Sequence, residues 1–425
     1  MKVALVNTYD EIGGAARAAL RLHKALLVCG QPVRTYVHQK DSNAADIIRV
    51  LAETPAEKAA AEAIETVDSA ERAAYPSMAD NRHPLFTSER AGPGPALVNR
   101  LEAVDIINLH WVRGLLDWEH FFATRPPGQA VVWTMHDTLA FTGGCHYPGT
   151  CGHFTAACGS CHHLGSSDPD DMSARILRRK REAISRFTGP FSLVAPSRWM
   201  ADMCQRSALF AGRAVTVIPN GIDTDIFRPG NRTALREELG LPIDIPIVLF
   251  VASVLTEPRK GLTYVLEALE RLGETMPVIL ATAGHAPPVS VTGVQHIHLG
   301  IAMDDEQLRN FYVAADVLIL PSLEDNLPNT AMEALACGTP VVGFPSGGIP
   351  DLVDMTCGEL APALSGEGLA LALRRLLNDP IRHADLCRGA RRKAEREYAL
   401  AVHGRRYLDH YQSILSARPT GESLS

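Results

Sequence analysis

Pro321-Ser322-Leu323-Glu324-Asp325-Asn326-Leu327-Pro328-Asn329-Thr330-Ala331-Met332-Glu333-Ala334-Leu335-Ala336-Cys337-Gly338 is the stretch that decides the fold. The apolar run before it, Val317-Leu318-Ile319-Leu320, reads as a buried strand. Pro321-Ser322 ends that strand, a polar loop follows, and a helix is expected from near Pro328-Asn329. Asp325 falls in the loop, and Glu333 falls inside the helix. Two carboxylates are thereby placed at the carboxyl end of a parallel strand, the edge at which open α/β sheets bind ligands. Such carboxylates suit the hydroxyls of a ribose or a sugar. The plain alternative is a solvated loop acid and a Glu favoured by the helix dipole.

The same alternation extends in both directions. Residues 2–7, 33–38, 104–110, 130–134, 191–195 and 215–221 read as strands, and 15–27, 55–74 and 173–187 as helices. Residues 75–95 read as a long loop and 222–241 as a linker. A second series follows, with strands at 247–251, 278–283, 317–320 and 340–344 and helices at 261–272 and 306–315. Residues 398–415 read as a closing helix and 416–425 as a polar tail. The pattern predicts an α/β chain of two Rossmann-like halves, 1–221 and 222–397, with a closing segment at 398–425 and a ligand cleft between the halves.

A length of 425 residues fits two or three domains at roughly 100–200 residues each. The net charge of −7 argues against nucleic acid as a partner. No apolar run reaches the roughly 20 residues of a membrane span, and Met1-Lys2-Val3-Ala4-Leu5-Val6 enters a strand pattern without a signal-peptide layout. A cytoplasmic protein is expected, and its nine cysteines are then thiols or metal ligands more readily than disulfides.

Several motifs carry chemistry. Gly13-Gly14 lies between a strand and a helix, where backbone N–H groups can meet a phosphate or sugar hydroxyl or simply form a tight turn. Thr256-Glu257-Pro258-Arg259-Lys260-Gly261 places two cations at a strand end, suited to a diphosphate or to a solvated turn. Gly347-Gly348-Ile349-Pro350-Asp351 is a second glycine loop at a helix start, or a turn with Pro opening the helix. His136, in Trp133-Thr134-Met135-His136-Asp137, and His110-Trp111 end two strands of the first half. Cys145, Cys151, Cys158 and Cys161 crowd a Gly- and His-rich loop at 143–165, with Cys158-Gly159-Ser160-Cys161 resembling a zinc knuckle. Structural zinc, unliganded thiols and disulfides all remain open readings, with His146, His153, His162 and His163 as alternative ligands. The basic helix at 173–187 is either a solvated face or a contact for anionic lipid or a phosphorylated acceptor. Asp223-Thr224-Asp225 has the form of a metal-binding D-x-D, but its setting reads as structural.

Taken together these motifs resemble the family-4 glycosyltransferases, retaining enzymes of the GT-B fold. The acidic stretch is similar to their E-x7-E region, with Asp325 (Glu324 beside it) in the first place and Glu333 in the second. Arg259-Lys260-Gly261 and the two glycine loops match as well, while Asp351 stands for the usual Glu and Val254 near the place of an additional Arg. The cysteine loop resembles those of subfamilies linked to exopolysaccharide and colanic-acid synthesis.

The resemblance implies two Rossmann-like domains facing each other across a cleft, with the C-terminal helix packing back on the first. The first domain would bind the acceptor, with His110 and Trp111 its weaker contacts, and the second would bind a UDP- or GDP-linked sugar. Arg259 and Lys260 would neutralise the diphosphate, aided by Gly347, Gly348 and Ile349; Glu333 would hold the ribose. Asp325 or Glu324, with Asn326, would hold sugar hydroxyls, and His136 the reacting end of the sugar; Gly13 and Gly14 would also bind the donor, with the acceptor near them. No catalytic metal is implied. The acceptor would be a glycan, a lipid-linked glycan or a small metabolite, reached in the cytoplasm or at the inner membrane face. A nucleotide-sugar 2-epimerase and a non-catalytic nucleotide-binding scaffold are the rival readings.

Overall fold

The computed structural model describes residues 1–75, 86–285 and 289–417. The chain divides into two compact units, Met1–Ile218 with Gly404–Ser425, and Pro219–His403. Part of the expected loop at 75–95 lies outside the described residues, as do most of the polar tail and 286–288.

The first unit holds a seven-stranded sheet in the order β3-β2-β1-β4-β5-β6-β7. Its strands are β1 Val3–Tyr9, β2 Val33–Gln39, β3 Ile47–Arg49, β4 Ile106–Leu109, β5 Ala130–Thr134, β6 Phe191–Ala195 and β7 Val215–Val217. Every pairing is parallel. The central strands β1, β4 and β5 are short runs buried on both faces, as a parallel sheet covered by helices requires, while the edge strands β3 and β7 are partly exposed. Ala4, Val6, Ile107, Leu109, Val131 and Trp133 join one core cluster; Val3, Leu5, Ile106, Ala130 and Val132 join another. The period of two thus splits each strand between two helical layers.

The closing helix, Leu400–Ser416, belongs to this unit from Gly404 onward. Tyr407 and Tyr411 are fully buried on the strands, where a side chain of this size stabilises by roughly 1.5–3 kcal/mol. Their hydroxyls meet the two polar groups the strands bury there: Thr134 Oγ1 at 2.9 Å from Tyr407 Oη, and Asn108 Nδ2 donating to Tyr411 Oη at 2.8 Å. Gly404 is required at the crossing, because a Cβ there would stand 2.4 Å from the Ala25 carbonyl oxygen of the helix Gly14–Val28.

The second unit holds a six-stranded parallel sheet in the order β10-β9-β8-β11-β12-β13. Its strands are β8 Ile247–Val254, β9 Ile279–His285, β10 Gln295–His298, β11 Val317–Leu320, β12 Val341–Gly343 and β13 Gly358–Leu360. Ile247 and Leu249 face one cluster, Val248 and Phe250 the other. The segment expected as a linker is instead part of this core. Asn231 caps a helix, Arg232–Glu238, by accepting from the Ala234 N–H, and Ile222, Phe227, Leu235 and Leu241 are buried. Its apolar residues are too widely spaced to show a period, so only packing reveals them. Strands β3, β10 and β13 were also missed, being short, partly exposed edge strands without a long apolar run.

In each sheet the strand order reverses beside the first strand, between β1 and β4 and between β8 and β11. The carboxyl ends flanking these reversals are where such sheets leave a crevice for ligands.

Candidate functional site

In the second unit, three loops leave the carboxyl ends of β8, β11 and β12. After β8, Pro258–Lys260 forms one tight 3-10 turn closed by Gly261 at φ 76°. Any Cβ at Gly261 would meet the Pro321 carbonyl oxygen at 2.2 Å, so glycine lets the cationic turn press against the loop after β11. The Leu323 N–H donates to the Arg259 carbonyl at 2.8 Å, and Arg259 Nη1 donates to the Glu324 carbonyl at 2.6 Å. Lys260 Nζ lies 2.6 Å from Asp325 Oδ2, and Arg259 Nη1 lies 3.5 Å from the same oxygen.

Of the two neighbouring acids, Asp325 is the one buried against the cations; the Glu324 side chain is half-exposed and meets Arg259 through its backbone. Burial would raise the Asp325 pKa, but Lys260 and Arg259 outweigh it and hold the carboxyl below its ordinary range. Asn326 is buried beside it and donates its backbone N–H to that carboxylate.

The loop after β12 fixes Asp325 from the other side. Gly347 has φ 55°, and a Cβ there would stand 2.1 Å from the Asp325 carbonyl oxygen. The Gly348 N–H donates to that oxygen at 2.9 Å, and the Ile349 N–H to the Ser346 carbonyl at 3.1 Å. The Ile349 side chain is in the core, and its helix, Ile349–Leu352, has four residues. The glycine loop expected to meet phosphate opens this short helix, with the Gly348 and Ile349 amides bonded within the loop and the Gly348 amide holding the Asp325 backbone. Glu333, on the helix Asn329–Ala336, is 1% exposed and accepts from Tyr312 Oη at 2.8 Å.

In the first unit, the loop after β1 carries Gly13 at φ 92° with nothing within 4 Å of a Cβ, and Gly14 begins the helix Gly14–Val28. The backbone conformation calls for glycine and leaves open space above it. His110 follows β4 and His136 lies just past β5. Their rings stack at 5.2 Å between centroids, with His110 Nδ1 2.9 Å from His136 Nε2. Burial, partly offset by Asp137, pushes the His136 pKa down to about 4, so the imidazole is neutral near pH 7.

Sequence reasoning missed what holds these rings. Asp137 Oδ2 accepts from Trp111 Nε1 at 2.6 Å and lies 2.6 Å from His146 Nδ1, and His146 Nε2 lies 2.8 Å from Thr87 Oγ1. Burial would raise Asp137, yet His146, the Leu139 N–H and Trp111 together keep it low. Asp137 adjoins His136 in sequence, a usable hint; the His146 contact crosses a loop and had no sequence signal.

The cysteine loop packs beside this network. Cys145, Cys151, Cys158 and Cys161 line one cavity of about 20 Å³ together with His153, His162 and His163. Burial pushes the Cys145 thiol up to about 12 and the Cys158 thiol to about 11. Among the described residues, no three His, Cys, Asp or Glu side chains are placed as a ready-made metal-binding group. The basic helix, Met172–Ser185, spends its charge locally: Arg175 and Arg179 pair with Glu71, Arg179 also with Glu89, and Arg178 with Asp170. Among the described residues no helix is long and apolar enough to cross a membrane.

Two parallel α/β units with ligand-ready carboxyl edges are the GT-B architecture, and solved structures bear this out. Sucrose-phosphate synthase from Thermosynechococcus elongatus matches with a TM-score of 0.67 at 20% identity, covering 98% of this chain and all of that one. Anabaena HepE, solved with UDP-glucose, matches at 0.65 and 16% identity, covering 97% of this chain and 100% of HepE. The description Glycosyltransferase Family 4 matches residues 12–226, just over half of the chain, and Glycosyl transferases group 1 matches 245–379. The chain belongs to Glycosyltransferase Family 4.

Among curated relatives, D-inositol 3-phosphate glycosyltransferase of Xylanimonas cellulosilytica is 33% identical over 222 residues, 48% of this chain and 52% of the relative. D-inositol 3-phosphate glycosyltransferase 2 of Catenulispora acidiphila is 35% identical over 264 residues, 56% of this chain and 60% of the relative. The chain therefore aligns with little more than half the length of these relatives. Their names point to inositol phosphate chemistry rather than to the exopolysaccharide and colanic-acid type that the cysteine loop resembles.

Proposed function

We propose that the protein is a retaining glycosyltransferase that moves a sugar from a nucleoside diphosphate donor to an acceptor hydroxyl without a catalytic metal. The observation that carries this reading is the pair Arg259 and Lys260 gathered around the buried Asp325 at the carboxyl edge of β8 and β11. Fixed cations at that edge stabilise the charge that builds on a leaving diphosphate as the glycosidic bond breaks. Asp325, held low in pKa, accepts from donor-sugar hydroxyls once a phosphate draws the cations away. Glu333, with one oxygen already fixed by Tyr312, takes the ribose hydroxyls.

On the first unit, the neutral His136 hydrogen-bonds the transferred sugar without competing for the diphosphate's charge. Gly13 and Gly14, with His110 and Trp111, offer hydroxyl- or phosphate-binding surface for the acceptor. The relatives' names favour a small polyol phosphate as that acceptor and UDP, found with HepE, as the donor nucleotide. Supplying UDP- and GDP-sugars with inositol phosphate and lipid-linked acceptors, in EDTA, and following diphosphate release and product anomeric configuration tests the reading. A retained anomer with unchanged rate in EDTA is expected. Conversion of the sugar nucleotide with no acceptor present would point to an epimerase, and nucleotide binding without turnover would point to a scaffold.

A further inference from the structure

The loop at 143–165 has features that a donor site and an acceptor site do not explain. Four cysteines from three turns of this loop surround one cavity of about 20 Å³, room for a single water-sized or ionic guest. Among the described residues, the turn Cys158-Gly159-Ser160-Cys161 holds three consecutive residues at positive φ. Cys158 at φ 57° and Ser160 at φ 47° are the non-glycine residues with positive φ among those described, and Gly159 between them has φ 94°. Non-glycine residues in this region cost roughly 1–3 kcal/mol each and cluster at ligand clamps. A backbone N–H group already aims at sulfur: Gly143 N lies 3.3 Å from Cys158 Sγ. Such N–H···S bonds are the outer contacts that orient thiolate ligands.

A cation of the protein also waits beside the cluster. Lys180 is fully buried and is held by the carbonyls of Leu139 and Thr142, the second at 3.0 Å. An anionic centre at the cysteines would give this buried ammonium a counter-charge.

We propose that Cys145, Cys151, Cys158 and Cys161 bind one Zn²⁺ as a closed tetrathiolate site, with Lys180 offsetting its net negative charge. Four S–H protons leave to solvent as four Zn–S bonds form, and the sulfurs turn from their present hydrogen bonds onto the shared cavity. A closed four-sulfur shell leaves no position for substrate, so the metal braces the loop and does no chemistry. The brace reaches the first unit's edge through one peptide bond: Cys145 is joined to His146, whose ring fixes Asp137 beside His136.

The test is metal analysis of full-length protein purified under reducing conditions without a metal-affinity tag, followed by Co²⁺ exchange. About one equivalent of zinc is expected, with the intense visible bands of a tetrahedral cobalt tetrathiolate. Cys158→Ser and Cys151→Ser should each lower bound zinc at least about tenfold, while Cys29→Ser, outside the loop, should leave it unchanged. Below about 0.1 equivalent with no cobalt spectrum, or two disulfides by mass spectrometry, the proposal fails; the wild-type cobalt spectrum decides the matter even where a variant does not fold.

Discussion

At the carboxyl edge of the six-stranded sheet, Arg259 and Lys260 converge on Asp325. At the same edge of the seven-stranded sheet, His110 and a neutral His136 stack, with Asp137 tied up in its own bonds to Trp111 and His146. The two sheets share parallel strands, a reversal of order and a glycine-bearing loop, yet one edge is ionic and the other offers imidazole nitrogens. The supports differ too. The ionic edge is clamped by backbone, with Gly261 and Gly347 each filled against a carbonyl; Gly13 at the other edge faces open space. A charged cluster must be held rigidly to keep opposite charges desolvated yet apart from a wrong partner. A hydrogen-bonding surface for hydroxyls tolerates room.

The largest effect should come from Lys260→Ala. Loss of one preorganised charge donor lowers kcat/KM by about 10²–10³, some 2.7–4 kcal/mol. Steady-state turnover together with thermal melting checks it; near-normal turnover in a folded variant would remove the ionic edge from catalysis. Next is Gly347→Ala, whose effect should fall on stability. A Cβ 2.1 Å from the Asp325 carbonyl, on backbone at φ 55°, costs roughly 2–4 kcal/mol in denaturant unfolding. His136→Ala should lower turnover by about 10–100-fold through one lost hydrogen bond, with His136→Gln less affected.

The acid response separates the edges further. His136 has its pKa lowered to about 4 from an ordinary value near 6.5, so the unfolded chain binds a proton there that the folded chain does not. Its contribution to stability is therefore present above about pH 6.5 and lost as pH falls toward 4. Asp325, also held low, loses its contribution at more acid pH, through the carboxylate range. A His136→Gln variant should show a flatter stability profile between about pH 4 and 6.5; an unchanged profile would show that the ring is not the titrating group. The smallest effect belongs to Gly13→Ala, about 1 kcal/mol of backbone strain with no clash.

Much of the second unit's site was legible because its residues are local in sequence. Arg259-Lys260-Gly261 and Glu324-Asp325-Asn326 each sit in one loop after one strand, and the strand period announces where the loops begin. The choice between Glu324 and Asp325 was not legible. Neighbouring acids look alike in sequence, and it is the clamp of Gly347 and Gly348 on the Asp325 backbone that buries one and leaves the other half-exposed. The Asp137–His146–Trp111 network was hidden for a related reason, since its members come from two loops, one after β4 and one after β5.

The two α/β units, the carboxyl edges of their sheets and the residue types at those edges were readable from local patterns, because strand burial and turn chemistry are local and periodic. Tertiary structure alone decided which carboxylate meets the cations and that 222–241 is core rather than linker. It also decided that the tyrosines of the last helix satisfy Asn108 and Thr134 inside the first sheet. Each of these is a pairing between distant segments. The partner of a buried polar group is whatever packing brings to it, and no local pattern encodes that.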